Sequence, residues 1–339
     1  MKYRNFSNTG WKVSEIGLGC WQLGWSWGDL LSEKTVSEIL NNSIERGINF
    51  FDTSDVYGDG RSEKFLSKII KESKEENNII VTTKLGRRHK NTPFGRDKYP
   101  LGIYNEEALE YFLDRSLKNL QVEKIDLLQL HCPPINVCRN PEIYDGLDNL
   151  VKKGKIIHYG VSVYYLSEAY EVLKMPNVKS IQIHFNPIRQ KPNENFFKIA
   201  KQKNVAIIIR GAFASGVLTG NLKKNQKFQI NDHRNFNIHG ESHNISETFS
   251  GVKYEECIEF VEELKKKIPK DMKISHLVLK WIHSYKEVST VIPGALNKDQ
   301  SIQNSIVSDF NEKDYKDLFP FIDHLYKNLL KNKYHDMWD

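Results

Sequence analysis

Short apolar runs rich in β-branched residues recur along the chain, and most are followed by apolar residues at helical spacing. The strand-like runs lie at 15–19, 49–52, 79–84, 125–131, 156–163, 180–185, 205–211 and 289–293. Amphipathic stretches lie at 35–47, 62–72, 105–120, 144–154 and 166–174; in the first, Val36, Ile39, Leu40 and Ile44 mark one face. This alternation is typical of β–α–β units that build a parallel sheet.

Eight such strands can close into a (β/α)8 barrel, whose usual length of about 250 residues leaves room for insertions in this chain. A doubly wound open sheet is the alternative, but no Gly-x-Gly-x-x-Gly fingerprint follows the first strand. We therefore predict one (β/α)8 TIM-barrel domain over residues 1–339. Long polar loops are predicted after the third strand, at 85–104, and after the seventh, at 211–252. A loop at 294–304 is expected to open the last helix near Lys298.

The composition does not change the predicted fold, but it bears on nucleic-acid binding, membrane insertion and metal or disulfide sites. Basic and acidic residues number 49 and 43 and are interspersed, so the net charge of +6 is a mild excess and we expect no nucleic-acid partner. No apolar run approaches 18 residues and the start has no signal-peptide pattern, which predicts no membrane span and a cytoplasmic protein. The cysteines form no Cys-x-x-Cys pair, so we expect reduced thiols and no metal site; they are Cys20, Cys132, Cys138 and Cys257.

Polar residues stand at the ends of three successive predicted strands, on the face where a barrel carries its active site. Asp52, Lys84 and His131 end strands two, three and four, and Tyr57 lies in the loop just after Asp52. A nearby ammonium stabilises phenolate and lowers a tyrosine pKa, a carboxylate keeps that ammonium charged, and an imidazole can orient a carbonyl oxygen. Each residue alone is more often structural, as a cap, a surface aromatic, a solvated lysine or a buried histidine. Together they indicate a tyrosine that protonates a carbonyl oxygen while hydride reaches the carbon.

From TGWKVSEIGLGCWQLG to TVIPGALNKDQSIQN the chain resembles the aldo-keto reductase family. The resemblance rests on an Asp-x-x-x-x-Tyr-Gly segment, a strand-ending lysine and a histidine after LLQL, which match Asp52, Tyr57, Lys84 and His131. It implies a (β/α)8 barrel that binds a nicotinamide cofactor without a Rossmann domain, usually NADPH. It also implies reduction of C=O, because a branch with glutamate in place of the histidine reduces C=C.

The resemblance also implies a set of cofactor contacts. Ser162 and Gln182 match positions that bind the carboxamide, Leu218 and Gly220 fall in the diphosphate loop, and Gln300 and Asn304 lie around the adenosine. Gly294 and Lys298 belong to the loop after strand eight, where a barrel commonly binds phosphate.

Three positions depart from the common pattern of the family. Val163 stands where many members have asparagine, and Arg210 stands where many stack a tyrosine on the nicotinamide. Leu296 replaces a basic residue near the adenosine phosphate, for which Lys298 could substitute. NADPH is therefore favoured, and NADH remains the alternative.

The substrate pocket is less well specified. Trp21, Trp25 and Trp27 crowd the loop after strand one, where they either wall a substrate site or pack the loop. Basic residues exceed acidic ones in loops 85–104 and 221–244; they are Arg87, Arg88, Lys90, Arg96, Lys98, Lys223, Lys224, Lys227 and Arg234. This suggests a small-molecule carbonyl substrate with an anionic handle, such as a phosphorylated or nucleotide-linked sugar.

Three functions remain open on the sequence. The first is reduction of an aldehyde, ketone or sugar, and the second is the same site working oxidatively as a sugar or alcohol dehydrogenase. The third is a barrel kept as a cofactor-binding regulatory subunit with negligible turnover.

Overall fold

The computed structural model describes residues 1–24, 30–73, 78–87 and 104–339. Eight parallel strands form one sheet in sequential order, and two short strands precede them. The strands are β1 Tyr3–Asn5, β2 Lys12–Ser14, β3 Leu18–Gly19, β4 Phe50–Asp52, β5 Ile80–Leu85, β6 Ile125–His131, β7 Ile156–Ser162, β8 Ser180–His184, β9 Ala206–Arg210 and β10 Val288–Val291.

The sheet closes on itself between its first and last strands. Gly17 N donates to Val291 O at 2.8 Å, and Gly19 N donates to Pro293 O at 3.1 Å. Parallel bridges join Ile16 to Val291 and Gly19 to Gly294. The predicted (β/α)8 barrel is confirmed, with its eight strands in the predicted places.

Helices pack outside the barrel; those before the last strand connect successive strands, and three α-helices follow that strand. Those among the described residues are α1 Trp21–Gly24, α2 Glu33–Glu45, α3 Arg61–Ser73, α4 Glu106–Leu120, α5 Ile135–Cys138, α6 Pro141–Lys152, α7 Leu166–Val172, α8 Phe196–Gln202, α9 His233–Phe236, α10 Tyr254–Lys265, α11 Ile274–Ser284, α12 Lys298–Ser305, α13 Phe319–Leu325 and α14 Asn332–Tyr334. Side-chain oxygens cap several N-termini: Ser32 accepts from Thr35 N, and Asn105 accepts from Ala108 N. Within the described ranges, no helix is long and apolar enough to cross a membrane.

Two of these helices correct the predicted end of the chain. Helix α12 begins at Lys298 as expected, and the side chain of Asn297 caps it by accepting from Gln300 N. It is not the last helix, because α13 and α14 follow it.

An antiparallel hairpin of β1 and β2 closes the N-terminal end of the barrel. Phe6 and Val13 of this hairpin segment are fully buried and pack against residues at or near the starts of the barrel strands, including Phe50 and Ile80. The hairpin was not predicted from the sequence, because three-residue strands are too short to show alternation. Its position leaves the opposite, C-terminal end of the barrel for the site.

The loop between β9 and α10 is long, as predicted, but it is not without structure. It contains one-turn 3-10 helices at Val217–Thr219, Ile245–Glu247 and Phe249–Gly251, besides α9. The predicted loop after β5 falls largely on 88–103, outside the described residues. The loop after β9 supplies much of the described wall above the barrel mouth.

Candidate active site

Neighbouring strands bring the predicted polar residues to one end of the barrel. Strands β4, β5 and β6 pair in parallel, with Lys84 opposite Gln129, and His131 pairs with Ser162 of β7. Asp52 ends β4 and His131 ends β6, so their side chains emerge beside Lys84 at the carboxyl edge of the sheet. Tyr57 lies in the turn before α3 and reaches back over this edge.

The ammonium of Lys84 is the centre of the cluster. It has no exposed surface and donates to Asp52 Oδ2 at 2.6 Å, to Thr53 O at 2.8 Å and to Tyr57 Oη at 3.2 Å. These three acceptors match the three N–H donors of an ammonium group. The charge of Lys84 is therefore satisfied, and its position relative to the Tyr57 phenol is fixed.

Two amides hold the other oxygen of Asp52. Gln182 Nε2 donates to Asp52 Oδ1 at 2.7 Å, and Gln129 Nε2 donates to the same atom at 3.1 Å. Gln129 also donates to Thr82 Oγ1 at 2.7 Å. Sequence reasoning missed Gln129, although it lies in the LLQL run two residues before His131. The Asp52 carboxylate is thus held in place from three strands.

His131 lies against the edge of Tyr57. Their ring centroids are 5.8 Å apart with an interplanar angle of 85°. The Nδ1 atom of His131 hydrogen-bonds with Ser54 Oγ at 3.0 Å, and its Nε2 atom lies 3.5 Å from Arg87 Nη1. The hydrogen bond with Ser54 orients the imidazole.

Burial decides the pKa of the phenol. It raises the pKa of Tyr57, and Asp52 adds to this effect, whereas Lys84 lowers the pKa without reversing the shift. The sequence-based expectation of a net lowering by Lys84 is therefore wrong for this structure, because desolvation outweighs the ammonium. Burial also disfavours the charge on Lys84, but Asp52 and Tyr57 outweigh burial and raise the pKa of Lys84. At neutral pH the pair is a neutral phenol beside an ammonium.

A cleft of about 1760 Å³ opens above this cluster. Its lining includes many of the predicted site residues: Trp21, Asp52, Tyr57, His131, Gln182, Arg210, Gly220, Gly294, Gln300 and Asn304. Lys84, Ser162 and Leu218 are buried behind its surface. Lys298 is exposed at the start of α12 and is not part of the described lining, and Trp27 lies outside the described residues.

The cleft has the features that a long, phosphate-bearing cofactor requires. Small residues of the loop after β9 line it; they are Gly211, Ala212, Ala214, Ser215 and Gly216. At Gly294 an added Cβ would lie 2.1 Å from Gln22 Oε1, so the Gln22 side chain would have to move. The Nε atom of Arg210 is buried and has no hydrogen-bond partner in the described part of the chain. The residues present therefore fit a nicotinamide dinucleotide.

Comparison with known proteins identifies the family. The sequence pattern of the Aldo/keto reductase family matches residues 15–319. The chain belongs to the aldo/keto reductase family. Aldo-keto reductase YhdN of Bacillus subtilis (strain 168) is 28% identical over 327 residues, which cover 94% of this chain and 92% of that protein.

Other family members differ in what their names state. The Schizosaccharomyces pombe aldo-keto reductase yakc, named with NADP(+), is 29% identical over 230 residues, covering 66% of this chain and 64% of that protein. An Arabidopsis thaliana protein named "Probable voltage-gated potassium channel subunit beta" is 26% identical over 319 residues, 90% of each chain. The holo form of aldo-keto reductase AKR11C1 from Bacillus halodurans superposes with a TM-score of 0.72, at 24% identity and 96% coverage of both chains.

In this aldo/keto reductase, a carboxylate from the loop after β9 reaches the barrel mouth. Glu247 accepts from Arg87 Nη2 at 3.3 Å and from Arg210 Nη1 at 3.1 Å. Arg210 also hydrogen-bonds with His184 Nε2 at 2.7 Å and donates to Val163 O at 3.1 Å. Sequence reasoning missed Glu247 and His184. The position of His184 at the end of β8 was the available signal, whereas nothing in a long irregular loop marks Glu247.

Among the described residues, the expected positive rim is smaller than the sequence suggests. Arg234 lines the cleft, but it donates to both carboxylate oxygens of Asp232, at 3.0 to 3.1 Å from Nε and at 2.6 Å from Nη2. Arg87 is likewise paired with Glu247. The exposed lysines Lys223, Lys224 and Lys227 do not belong to the described lining, and Arg88, Lys90, Arg96 and Lys98 lie outside the described residues.

Proposed function

We propose that the protein reduces the carbonyl group of an aldehyde, ketone or sugar with hydride from a nicotinamide cofactor. One observation carries the proposal: the buried Lys84 ammonium lies 2.6 Å from Asp52 and 3.2 Å from the Tyr57 hydroxyl. This arrangement stands at the wall of a cleft large enough for cofactor and substrate. It suits a reaction in which a phenol gives up its proton.

Tyr57 is the proposed proton donor. Its raised pKa keeps the phenol protonated at neutral pH, so the proton is present when the substrate binds. As the proton passes from Tyr57 Oη to the carbonyl oxygen, negative charge grows on the phenol oxygen. The ammonium of Lys84, 3.2 Å away, stabilises that charge. Asp52 holds Lys84 in position and does not itself exchange the proton.

His131 is the proposed orienting group for the carbonyl oxygen. Its imidazole stands edge-on to the Tyr57 ring and is held by Ser54. An oxygen placed between Tyr57 Oη and His131 Nε2 can meet the phenol proton and the imidazole edge together. When bound, the reduced nicotinamide supplies the hydride that the carbonyl carbon receives.

The cofactor is proposed to be NADPH, with NADH as the alternative. Gln182 and Ser162 would hold the carboxamide, Arg210 would face the nicotinamide ring, and Gly220 would leave room for the diphosphate. Gly294, Gln300 and Asn304 would surround the adenosine, with Leu218 buried behind the diphosphate loop. Lys298 is not at the described cleft surface, whereas Lys273 is, so we assign the adenosine phosphate to Lys273.

Loss of absorbance at 340 nm tests this function directly. The purified protein is mixed with NADPH, and separately with NADH, over a panel of aromatic aldehydes, ketones and aldoses. We expect turnover of at least one carbonyl compound, and faster turnover with NADPH. No turnover with either cofactor over the panel, in a protein that binds NADPH, would contradict the proposal. The reverse assay with the corresponding alcohols and NADP+ measures the oxidative alternative.

A regulatory role is a second candidate, favoured by the likeness to the potassium-channel beta subunit. The same barrel would then hold the cofactor tightly and turn over negligibly. Fluorescence titration with NADPH beside the 340 nm assay separates the two functions. Tight binding without turnover supports the regulatory subunit, and sustained turnover supports the enzyme.

A further inference from the structure

An internal carboxylate lies between two arginines beside the proposed catalytic residues. Glu247 Oε1 accepts from Arg87 Nη2 at 3.3 Å, and Glu247 Oε2 accepts from Arg210 Nη1 at 3.1 Å. All three side chains line the cleft that also contains Tyr57 and His131. The Glu247 carboxylate therefore binds the two guanidinium groups inside the cleft, where they would contact a substrate.

The two guanidinium groups are held as a pair. Each lies over the ring of Tyr164, with Arg87 at 5.1 Å and Arg210 at 5.2 Å from the ring centroid. Burial disfavours the charge on Glu247, but Arg210 and Arg87 outweigh burial and hold the pKa of its carboxyl below the ordinary range. Glu247 is consequently ionised at neutral pH and forms charge-assisted hydrogen bonds with both.

Arg87 is a cation that lies beside the proposed carbonyl position. Its Nη1 atom lies 3.5 Å from His131 Nε2, the imidazole edge that we assign to the substrate oxygen. A guanidinium at this place would recognise a carboxylate or phosphate on a substrate through paired N–H donors. In the structure, an anion that contacts Arg87 is the carboxylate of Glu247, a residue of the same chain.

We propose that Glu247 is a specificity-determining residue that makes the pocket select neutral over negatively charged carbonyl substrates. An anionic substrate must compete with a carboxylate that is tethered next to the same donors, and it is repelled by that carboxylate. This inference rests on the proposed carbonyl reduction. It replaces the anionic substrate expected from the basic loops, because that expectation left Glu247 out of the charge balance.

Matched ligands that differ in charge test the inference. Benzoate and benzamide are titrated by calorimetry into the protein saturated with NADP+. In parallel, kcat/KM is measured for 4-carboxybenzaldehyde and 4-nitrobenzaldehyde. The variants are Glu247→Gln, Arg87→Gln and the double variant. Glu255→Gln removes one exposed negative charge from α10 and serves as the control for net charge. Thermal melting of each variant confirms that it is folded.

The expected result is a change in the ratio of anion to neutral binding. Glu247→Gln should raise the benzoate-to-benzamide affinity ratio at least about tenfold, the size of a charge-assisted hydrogen bond. The ratio of kcat/KM for 4-carboxybenzaldehyde to kcat/KM for 4-nitrobenzaldehyde should also rise in Glu247→Gln. In the double variant, the added Arg87→Gln substitution should return the affinity ratio towards the wild-type value. The single variant Arg87→Gln should not raise the ratio. Glu255→Gln should leave both ratios within about twofold of the wild type.

The inference is overturned if the benzoate-to-benzamide affinity ratio of Glu247→Gln stays within about twofold of the wild-type ratio. It is also overturned if benzoate binds to none of the variants. An increase that survives Arg87→Gln also overturns it, because Arg87 would then not be the cause. A shift in binding without turnover in the wild type has a different meaning. It would contradict the proposed reaction while supporting charge selection by Glu247.

Discussion

Lys84 donates to three oxygen atoms from a position with no exposed surface, and only one of the three belongs to an ionised group. The same ammonium neutralises Asp52 and faces the phenol of Tyr57. Removing it would affect two properties at once. The Asp52 carboxylate would keep its bonds to Gln129 and Gln182 but lose its counter-charge inside the barrel.

Lys84→Met is therefore expected to lower the free energy of unfolding by about 3–5 kcal/mol, as for one partner removed from a buried ion pair. Reductase activity should fall by about 100-fold or more, because charge on the phenol oxygen is no longer stabilised. Urea unfolding and the 340 nm assay measure the two effects. Lys298→Met, at an exposed position, is the matched control. A Lys84→Met protein as stable as that control would show that the pair does not stabilise the barrel.

Substitution of Lys273 tests whether a single residue makes the protein prefer NADPH over NADH. Its ammonium donates to Gln303 Oε1 at 2.6 Å, and both residues line the cleft near Gln300. If this lysine binds the adenosine phosphate, Lys273→Gln should raise KM for NADPH about tenfold, a typical value for one charge-assisted contact. KM for NADH should stay within about twofold. Equal effects on both cofactors would place the phosphate elsewhere.

At the scale of an element, the start of helix α7 is tied to the site through Tyr164. Glu168 is buried, and its Oε2 accepts from the backbone N–H of Tyr164 at 2.8 Å and of Tyr165 at 3.1 Å. Burial raises the pKa of Glu168 to about 7. The folded state therefore binds this proton more tightly than the unfolded state does.

This pKa predicts the sign of a pH effect on stability. The contribution of Glu168 is fully present below the ordinary pKa of 4.5, and it is lost as the pH rises through about 7. Glu168→Gln keeps an oxygen acceptor for the two N–H groups and removes the titration. The loss of stability between pH 5 and pH 8, measured by urea unfolding, should be smaller in the variant by up to about 3 kcal/mol. If the free energy of unfolding depended on pH identically in both proteins, ionisation of Glu168 would not destabilise the fold.

The elements differ in how far the sequence predicted them. The eight barrel strands and their parallel order follow from apolar runs that alternate with helical periods, since each run is buried on both faces. The hairpin of β1 and β2 was missed because its strands have three residues each and show no period. Helices α13 and α14 were missed because their packing against the barrel depends on tertiary contacts and not on a clear stripe.

At the scale of the whole molecule, the barrel explains why residues far apart in the chain could be grouped from the sequence. Asp52, Lys84 and His131 lie at or next to the carboxyl ends of adjacent strands, so the strand order alone places them together. The pKa of Tyr57 was predicted in the wrong direction because desolvation depends on the packed structure. Glu247 was not found because its place follows from the course of a long loop and not from any period.

The central claim is that Tyr57 donates the proton in carbonyl reduction, and Tyr57→Phe tests it most directly. The variant removes one hydroxyl and keeps the ring against His131 and Lys84. The measurement is the rate of NADPH oxidation with an aldehyde that the wild type reduces, beside the Kd for NADPH. We predict a fall in kcat of about 100- to 10,000-fold, the usual contribution of a general acid, with the Kd within about threefold. A Tyr57→Phe protein that keeps kcat within about threefold of the wild type would contradict the account.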